Sequence, residues 1–273
     1  MYRRSLLCVS GLLLFTIALE RPSLLAQSSP SGQLEVQAPL RRAEPPSPSA
    51  SSSELVMRGD ELRAEKDYLD AIDYYKAALA RSPDQGASIH NRMGIAHMEL
   101  ERWRDSVKEF RLSIQADPHF ADAHNNLGVI YYEFKKYGKA ISEYEIAIRL
   151  RENSAPYFGN MGAAYFAKKD FQKAAVAYSH ALELDPDIFE RNARAGVAAR
   201  LPSPEDRAHF DYVMAKLYAK AGVADRSLEH LRRAMEEGYK GINDVYKDAE
   251  FADLRKDPRF THLMAARPSA IPE

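Results

Sequence analysis

The sequence predicts an all-α fold: a solenoid of stacked antiparallel helix pairs closed by a short helical C-terminal cap. Three observations predict it. Gly59, Gly94, Gly128 and Gly162 recur at steps of 35, 34 and 34 residues. Each glycine heads the same series, with Ala71, Ser106, Ala140 and Ala174 twelve residues on, Tyr75, Phe110, Tyr144 and Tyr178 sixteen on, and Ala78, Ser113, Ala147 and Ala181 nineteen on. Proline closes units at Pro83, Pro118 and Pro186. A fixed period with small and aromatic residues at constant offsets marks a helical repeat array, in which each unit buries its apolar face only against its neighbours.

Each recurring residue has a physical reason. Glycine inside a helix costs about 1 kcal/mol relative to alanine, so its repetition implies close approach by a neighbouring helix. The alanines and serines permit the same approach on the second helix, and the aromatics fill the larger gaps. Tyr68, Trp103, Tyr137 and Phe171, nine residues past each glycine, follow the expected turn and can bridge both helices. Proline cannot continue a helix interior, and Asp117-Pro118 and Asp185-Pro186 suit a cap followed by a first helical turn. The third unit departs: Glu152 stands where proline is expected and Pro156 follows four residues later. A longer second helix or an altered turn is expected there.

These residues resemble the tetratricopeptide repeat, whose pattern is W-x2-L-G-x2-Y, then A-x3-F, then P. The third unit has His124, Leu127, Gly128 and Tyr131, then Ala140, Tyr144 and Ala147; the fourth has Phe158, Met161, Gly162 and Tyr165, then Ala174, Tyr178, Ala181 and Pro186. The resemblance covers residues 52–186 and extends to about 238. It implies a right-handed superhelix in which the first helix of each pair lines an inner groove. It also implies that the residue two before each glycine faces that groove, which here is Arg92, Asn126 and Asn160, with Arg194 next. Asparagine both donates to and accepts from a peptide backbone, and the pair is similar to the asparagine ladder of the tetratricopeptide arm of O-linked N-acetylglucosamine transferases. Tyr132 and Phe166, four past their glycines, form either an apolar floor beside the asparagines or buried packing between repeats; Glu99 and Glu133 add negative charge. In some members a clamp of lysine, asparagine and arginine holds a partner's C-terminal carboxylate. The corresponding places here hold Val56, Asp60, Arg92, Asp122 and Asn126, so no chaperone-tail binding of that type is expected.

Before the repeats, residues 1–26 read as an export signal. Arg3 and Arg4 precede an apolar run from Leu6 to Leu19, and Ala26 offers a cleavage site. That run is short for a membrane span; the alternative is an uncleaved anchor. Export places the protein in the periplasm or outside the cell, with no membrane span in the mature chain. Cleavage removes Cys8, the single cysteine, so no disulfide, thiolate nucleophile or cysteine metal ligand remains. The leader holds three basic residues and one acidic, leaving 35 basic and 38 acidic residues, net −3, unlike a nucleic-acid-binding protein. Residues 27–53 contain five prolines and eight serines and are expected to be a disordered spacer.

Four repeats are expected over 54–187, with a further helix and a degenerate fifth repeat over 188–240. Gly196 continues the 34-residue step, but a frame pairing helices at about 205–221 and 224–237, joined at Gly222, fits the apolar pattern better. Residues 188–200 are then an intervening helix. The segment 241–273, with Phe251, Leu254, Phe260, Leu263 and Met264, is expected to cover the open end of the stack, and Asp257-Pro258 to start a short helix.

No phosphate loop, dinucleotide fingerprint, nucleophile elbow or zinc-protease motif occurs; neither a cofactor nor a metal is expected. His90 and His124 hold equivalent places where the repeat pattern has a packing aromatic, and packing is their expected role. The expected function is therefore non-catalytic: an exported scaffold that binds another protein or an extended peptide in its groove, in envelope or secretion-related assembly. The competing readings are a self-assembling structural protein, with homo-oligomers, and an accessory subunit of an envelope enzyme complex.

Overall fold

The computed structural model describes residues 43–189 and 203–266. The expected leader, most of the spacer, Arg194, Gly196 and nearly all of the expected intervening helix lie outside them. The described residues form helices joined by turns. Four pairs run α1 (Ser52–Ala64) with α2 (Tyr68–Arg81), α3 (Gly86–Glu99) with α4 (Trp103–Ala116), α5 (Ala121–Glu133) with α6 (Tyr137–Leu150), and α7 (Ala155–Ala167) with α8 (Phe171–Leu184). A fifth pair follows, α9 (Pro204–Lys220) with α10 (Ala224–Glu236). Three short 3-10 segments, Ile242–Tyr246, Ala249–Phe251 and Leu254–Lys256, lead to α11 (Pro258–Ala266).

The periodic glycines sit in the first helix of each pair, each under one aromatic ring of the second helix. A Cβ on Gly59, Gly94, Gly128 or Gly162 would lie 2.6, 2.5, 2.6 or 2.6 Å from Tyr75, Phe110, Tyr144 or Tyr178 respectively. All four rings are buried, as are the small residues twelve and nineteen past each glycine. Where serine replaces alanine it closes a hydrogen bond: Ser106 Oγ donates to the Gly94 carbonyl at 2.7 Å and Ser113 Oγ to that of Ala87 at 2.6 Å.

The fifth pair builds the same contact from different residues. Ala215 takes the glycine's place, Ser227 the twelve-residue place and Leu231 the aromatic's. Ser227 Oγ donates to the Ala215 carbonyl at 2.7 Å, matching Ser106. A methyl group on one helix is offset by a smaller side chain on the other. The two helices join through Gly222 at φ 75°, so this is the second of the two frames weighed for the region. In the first four pairs the equivalent turn position is Lys66, Glu101, Lys135 and Lys169, at φ 68°, 56°, 56° and 64°, a conformation that a non-glycine residue adopts at some cost.

The inter-pair turns correct one expectation. Pro118 does not open a helix: α5 begins at Ala121, and Asp117 Oδ1 accepts from the His119 amide at 2.9 Å, an Asx turn between helices. Asp185 Oδ1 accepts from the Asp187 amide in the same way, at 3.1 Å. In the third unit α6 keeps the common length and only the turn differs, with Ser154 extended and Pro156 in the first turn of α7.

Both ends of the stack are covered. At the start, α1 opens on a capping box in which Glu54 Oε2 accepts from the Ser51 amide at 2.7 Å and Ser51 Oγ from the Glu54 amide at 3.3 Å. Order extends into the expected spacer. Ala43 and Ala50 pack on the first pair's core, Tyr74 OH donates to the Glu44 carbonyl at 3.0 Å, and Arg81 donates to the carbonyls of Pro48 and Ala50. At the other end, Val245, Phe251, Leu254, Phe260 and Met264 bury themselves against Tyr212, Leu231 and Met235 of the fifth pair.

Candidate functional site

Adjacent first helices contact one another, α3 with α5 and α5 with α7. The first helices therefore form one continuous face, and the residues two before each glycine lie along it. The structure joins these residues into a hydrogen-bonded row. Asn160 Nδ2 donates to Asn125 Oδ1 at 2.9 Å, Asn125 Nδ2 to Asn126 Oδ1 at 3.1 Å, and Asn126 Nδ2 to Asn91 Oδ1 at 2.9 Å. This relay of four amides crosses three repeats with every donor aimed the same way. Asn91 and Asn125 are buried anchors, whereas Asn126 and Asn160 remain half-exposed. Among the described residues the Asn160 side-chain carbonyl and one of its N–H groups have no partner. The anchors were missed from the sequence, although Asn91 and Asn125 recur at the repeat spacing one place before the expected row.

Arg92 ends the row differently. Its Nε donates to both oxygens of Asp60, at 3.2 and 3.1 Å, and Asp60 also accepts from Tyr75 OH at 2.7 Å. Asp122 takes a bidentate pair from Arg151 at 3.0 Å to each oxygen, and the phenol of Tyr157 as well. A guanidinium already held by a carboxylate is a poor clamp for a partner's C-terminus. At the far end the glycine frame of the fifth pair gives Val213, which is 7% exposed, belongs to the same core cluster as Tyr178 and Phe210, and does not continue the row.

Of the other expected site residues, Tyr132 and Phe166 are not the floor of a groove. Tyr132 is 8% exposed and packs on Tyr137 with ring centroids 5.4 Å apart; Phe166 is 1% exposed, against Phe171 at 4.9 Å and Phe210 at 6.1 Å. Their helix position falls on the boundary between groove and repeat interface, and a large ring gains more by burial. Glu99 is exposed and accepts from Tyr68 OH at 3.4 Å; Glu133 is half-buried.

The histidines also depart from expectation. His90 and His124 are not simple packing groups: each Nδ1 bonds a glutamate on the paired helix, Glu109 at 2.7 Å and Glu143 at 2.8 Å. The fifth pair reverses the arrangement, with Asp211 on the first helix and His230 on the second, 2.6 Å apart. Among the described residues no three histidine, cysteine or carboxylate groups gather as a metal site.

A second concavity, of about 640 Å³, opens between α8, α9 and the segment from Tyr239 to Glu250. Its apolar wall includes Val176, Val213 and Leu217, and Lys216 on its rim pairs with Asp248 at 2.9 Å. Val176 stands 60% exposed. Nearby, His209 lies 3.9 Å from the Phe171 ring, centroid to centroid. Burial, then the charge of Lys169, holds its pKa below the ordinary histidine value, against the pull of Asp206. The unfolded imidazole therefore takes up a proton before the folded one, and stability falls as pH drops from about 6.5. Replacing His209 with phenylalanine is expected to flatten part of that slope. Urea midpoints of both proteins from about pH 7.5 down to 5 check this; parallel curves would refute it.

Three tetratricopeptide-repeat family profiles match, over residues 55–85, 91–155 and 155–188. Within residues 55–188 the chain therefore carries tetratricopeptide repeats. Among solved structures it is similar to a thermophilic TPR protein of Thermus thermophilus, with 18% identity over 79% of this chain and 100% of that chain, TM-score 0.48. It is also similar to MamA (41-end) from Desulfovibrio magneticus, with 17% identity over 68% and 94%, TM-score 0.47. A third likeness is the first TPR of Spaghetti (RPAP3) bound to an HSP90 peptide, with 25% identity over 44% and 98%, TM-score 0.39. No curated protein matches the chain.

Proposed function

We propose that this chain is a non-catalytic interaction scaffold that binds an extended peptide or partner subunit along the face of its first helices. The observation that carries this reading is the relay from Asn160 through Asn125 and Asn126 to Asn91. Side chains already held by neighbours lose little rotamer freedom on binding, and pre-organised donors and acceptors contribute more affinity for that reason. A row of amides matches the alternating N–H and C=O groups of an extended backbone, which suits recognition of main chain rather than of one side chain.

We place the working site outside the cytoplasm, in envelope or secretion-related assembly, on the basic start, apolar run and small residue of the first 26 positions. No helix among the described residues is long and apolar enough to cross a membrane. The family reading supports binding and assembly rather than catalysis.

Peptide display against the purified protein tests this directly. Selected peptides are expected to bind as extended chains, and Asn160→Ala to weaken them about ten-fold, the equivalent of about 1.4 kcal/mol. Unchanged affinity in Asn160→Ala, with peptides still selected, would remove the relay from the site.

A further inference from the structure

A different surface shows a charge reversal that the repeat itself does not require. The third residue of each second helix is Asp70, Asp105, Lys139 and Lys173 in the first four pairs. Carboxylates favour the first turn of a helix, where the backbone dipole is positive, and cations there are unfavourable. The first two pairs obey this and the next two break it. Lys139 is not alone. Lys135 and Lys136 precede it in the same turn, and Lys168 and Lys169 stand in the next turn along the same edge of the stack, all exposed. Lys169 pairs with Asp206 and Lys173 with Asp170, but Lys135, Lys136, Lys139 and Lys168 have no carboxylate partner among the described residues. Phe134, 49% exposed, projects among them, held edge-on by Trp103 at 5.8 Å.

At α8 the N-cap Asp170 offsets Lys173, but at α6 the rule is broken with no carboxylate partner among the described residues, and the cluster of unpaired lysines around Lys139 points to a ligand that supplies the missing negative charge. From this geometry we infer that the turns of the third and fourth pairs form a docking edge for an anionic phospholipid surface. An acidic peptide would gain little from exposed lysine pairs, each contributing at most about 1 kcal/mol and often nothing. A charged leaflet acts on all the lysines together, at about 1 kcal/mol each, and accepts a protruding aromatic ring at its interface. The edge consists of helix-connecting turns, so docking there leaves the face of the first helices open. This inference does not depend on peptide binding at that face.

Co-sedimentation of the full chain with vesicles of phosphatidylcholine, alone or with about one-third phosphatidylglycerol, tests it. Enrichment on the anionic vesicles over the neutral ones is expected to be at least about ten-fold at low salt and to fall steeply as salt rises. Arg3 and Arg4 beside the apolar N-terminal run also favour the anionic vesicles, so the share of the edge is read as the drop in enrichment from the unsubstituted chain to the variant. The variant Lys135→Glu/Lys139→Glu/Lys168→Glu is expected to lose most of the enrichment. A single Lys139→Asp is expected to reduce enrichment while raising Tm by about 1–3 °C, because it restores the favourable first-turn charge; this separates lost docking from lost folding. Equal binding to both vesicle types, or enrichment undiminished in the triple variant, would overturn the inference. So would salt-sensitive capture of polyglutamate by a protein indifferent to vesicle charge.

Discussion

Gly128→Ala is expected to destabilise the fold by about 2 kcal/mol, although alanine is the better helix former by about 1 kcal/mol. The new methyl carbon would sit 2.6 Å from Tyr144 Cε1, and Tyr144 is 1% exposed, so the ring has nowhere to retreat. Overpacking of this kind costs about 1–3 kcal/mol or more, against the smaller helix-propensity gain. The molecule contains its own rescue, since the fifth pair joins Ala215 to Leu231 in the same geometry. Tyr144→Leu alone leaves a cavity and is expected to destabilise as well. Combined with Gly128→Ala, the loss is expected to be smaller than the sum of the two by at least about 1 kcal/mol. Urea denaturation of the four proteins closes the cycle, and additive losses would show that glycine and ring are not in contact.

Phe210→Ala carries the other large expected effect. Pairs one to four follow one another at the repeat step, but Ala215 lies 53 residues after Gly162. The fifth pair is held to the fourth through rings: Phe210 lies 5.6 Å from Tyr178, 6.1 Å from Phe166 and 6.4 Å from Phe189, all near-perpendicular. Truncating a buried phenylalanine costs about 3–5 kcal/mol. In a stack stabilised mainly by nearest-neighbour interfaces, that loss falls on one junction. Thermal unfolding of the variant is therefore expected to separate into two transitions, the earlier one belonging to the fifth pair and its C-terminal cover. A single transition displaced by only a degree or two would mean that the junction lies elsewhere.

The sequence shows the first four pairs plainly because each glycine, alanine and aromatic answers a local steric demand that no other residue meets as well. The fifth pair is harder to see because the same interface is built with the bulk exchanged, alanine for glycine and leucine for the ring; a search for periodic glycine passes over Ala215 and stops at Gly196. Asn126 and Asn160 can be read as inner-face residues from their offset. Their anchors cannot, because each hydrogen bond crosses to the previous repeat and shifts by one place, and only coordinates bring Asn125 to Asn160. Tyr132 and Phe166 show the opposite difficulty. Their apolar character is evident, but a position on the edge between two surfaces becomes groove or core according to how closely the next repeat packs. His90 and His124 read as packing groups until Glu109 and Glu143, nineteen residues on, are seen on the facing helix.

If a partner polypeptide lies along the face of the first helices, as proposed, a photo-crosslinking side chain will capture it there in the producing cell. The probe is placed at Asn160 or, as a control on an exposed face of the second helix α4, at Arg111. A discrete protein adduct is expected from position 160 and none from 111. Adducts from 111 with none from 160 would put the partner on the opposite surface and refute the proposal.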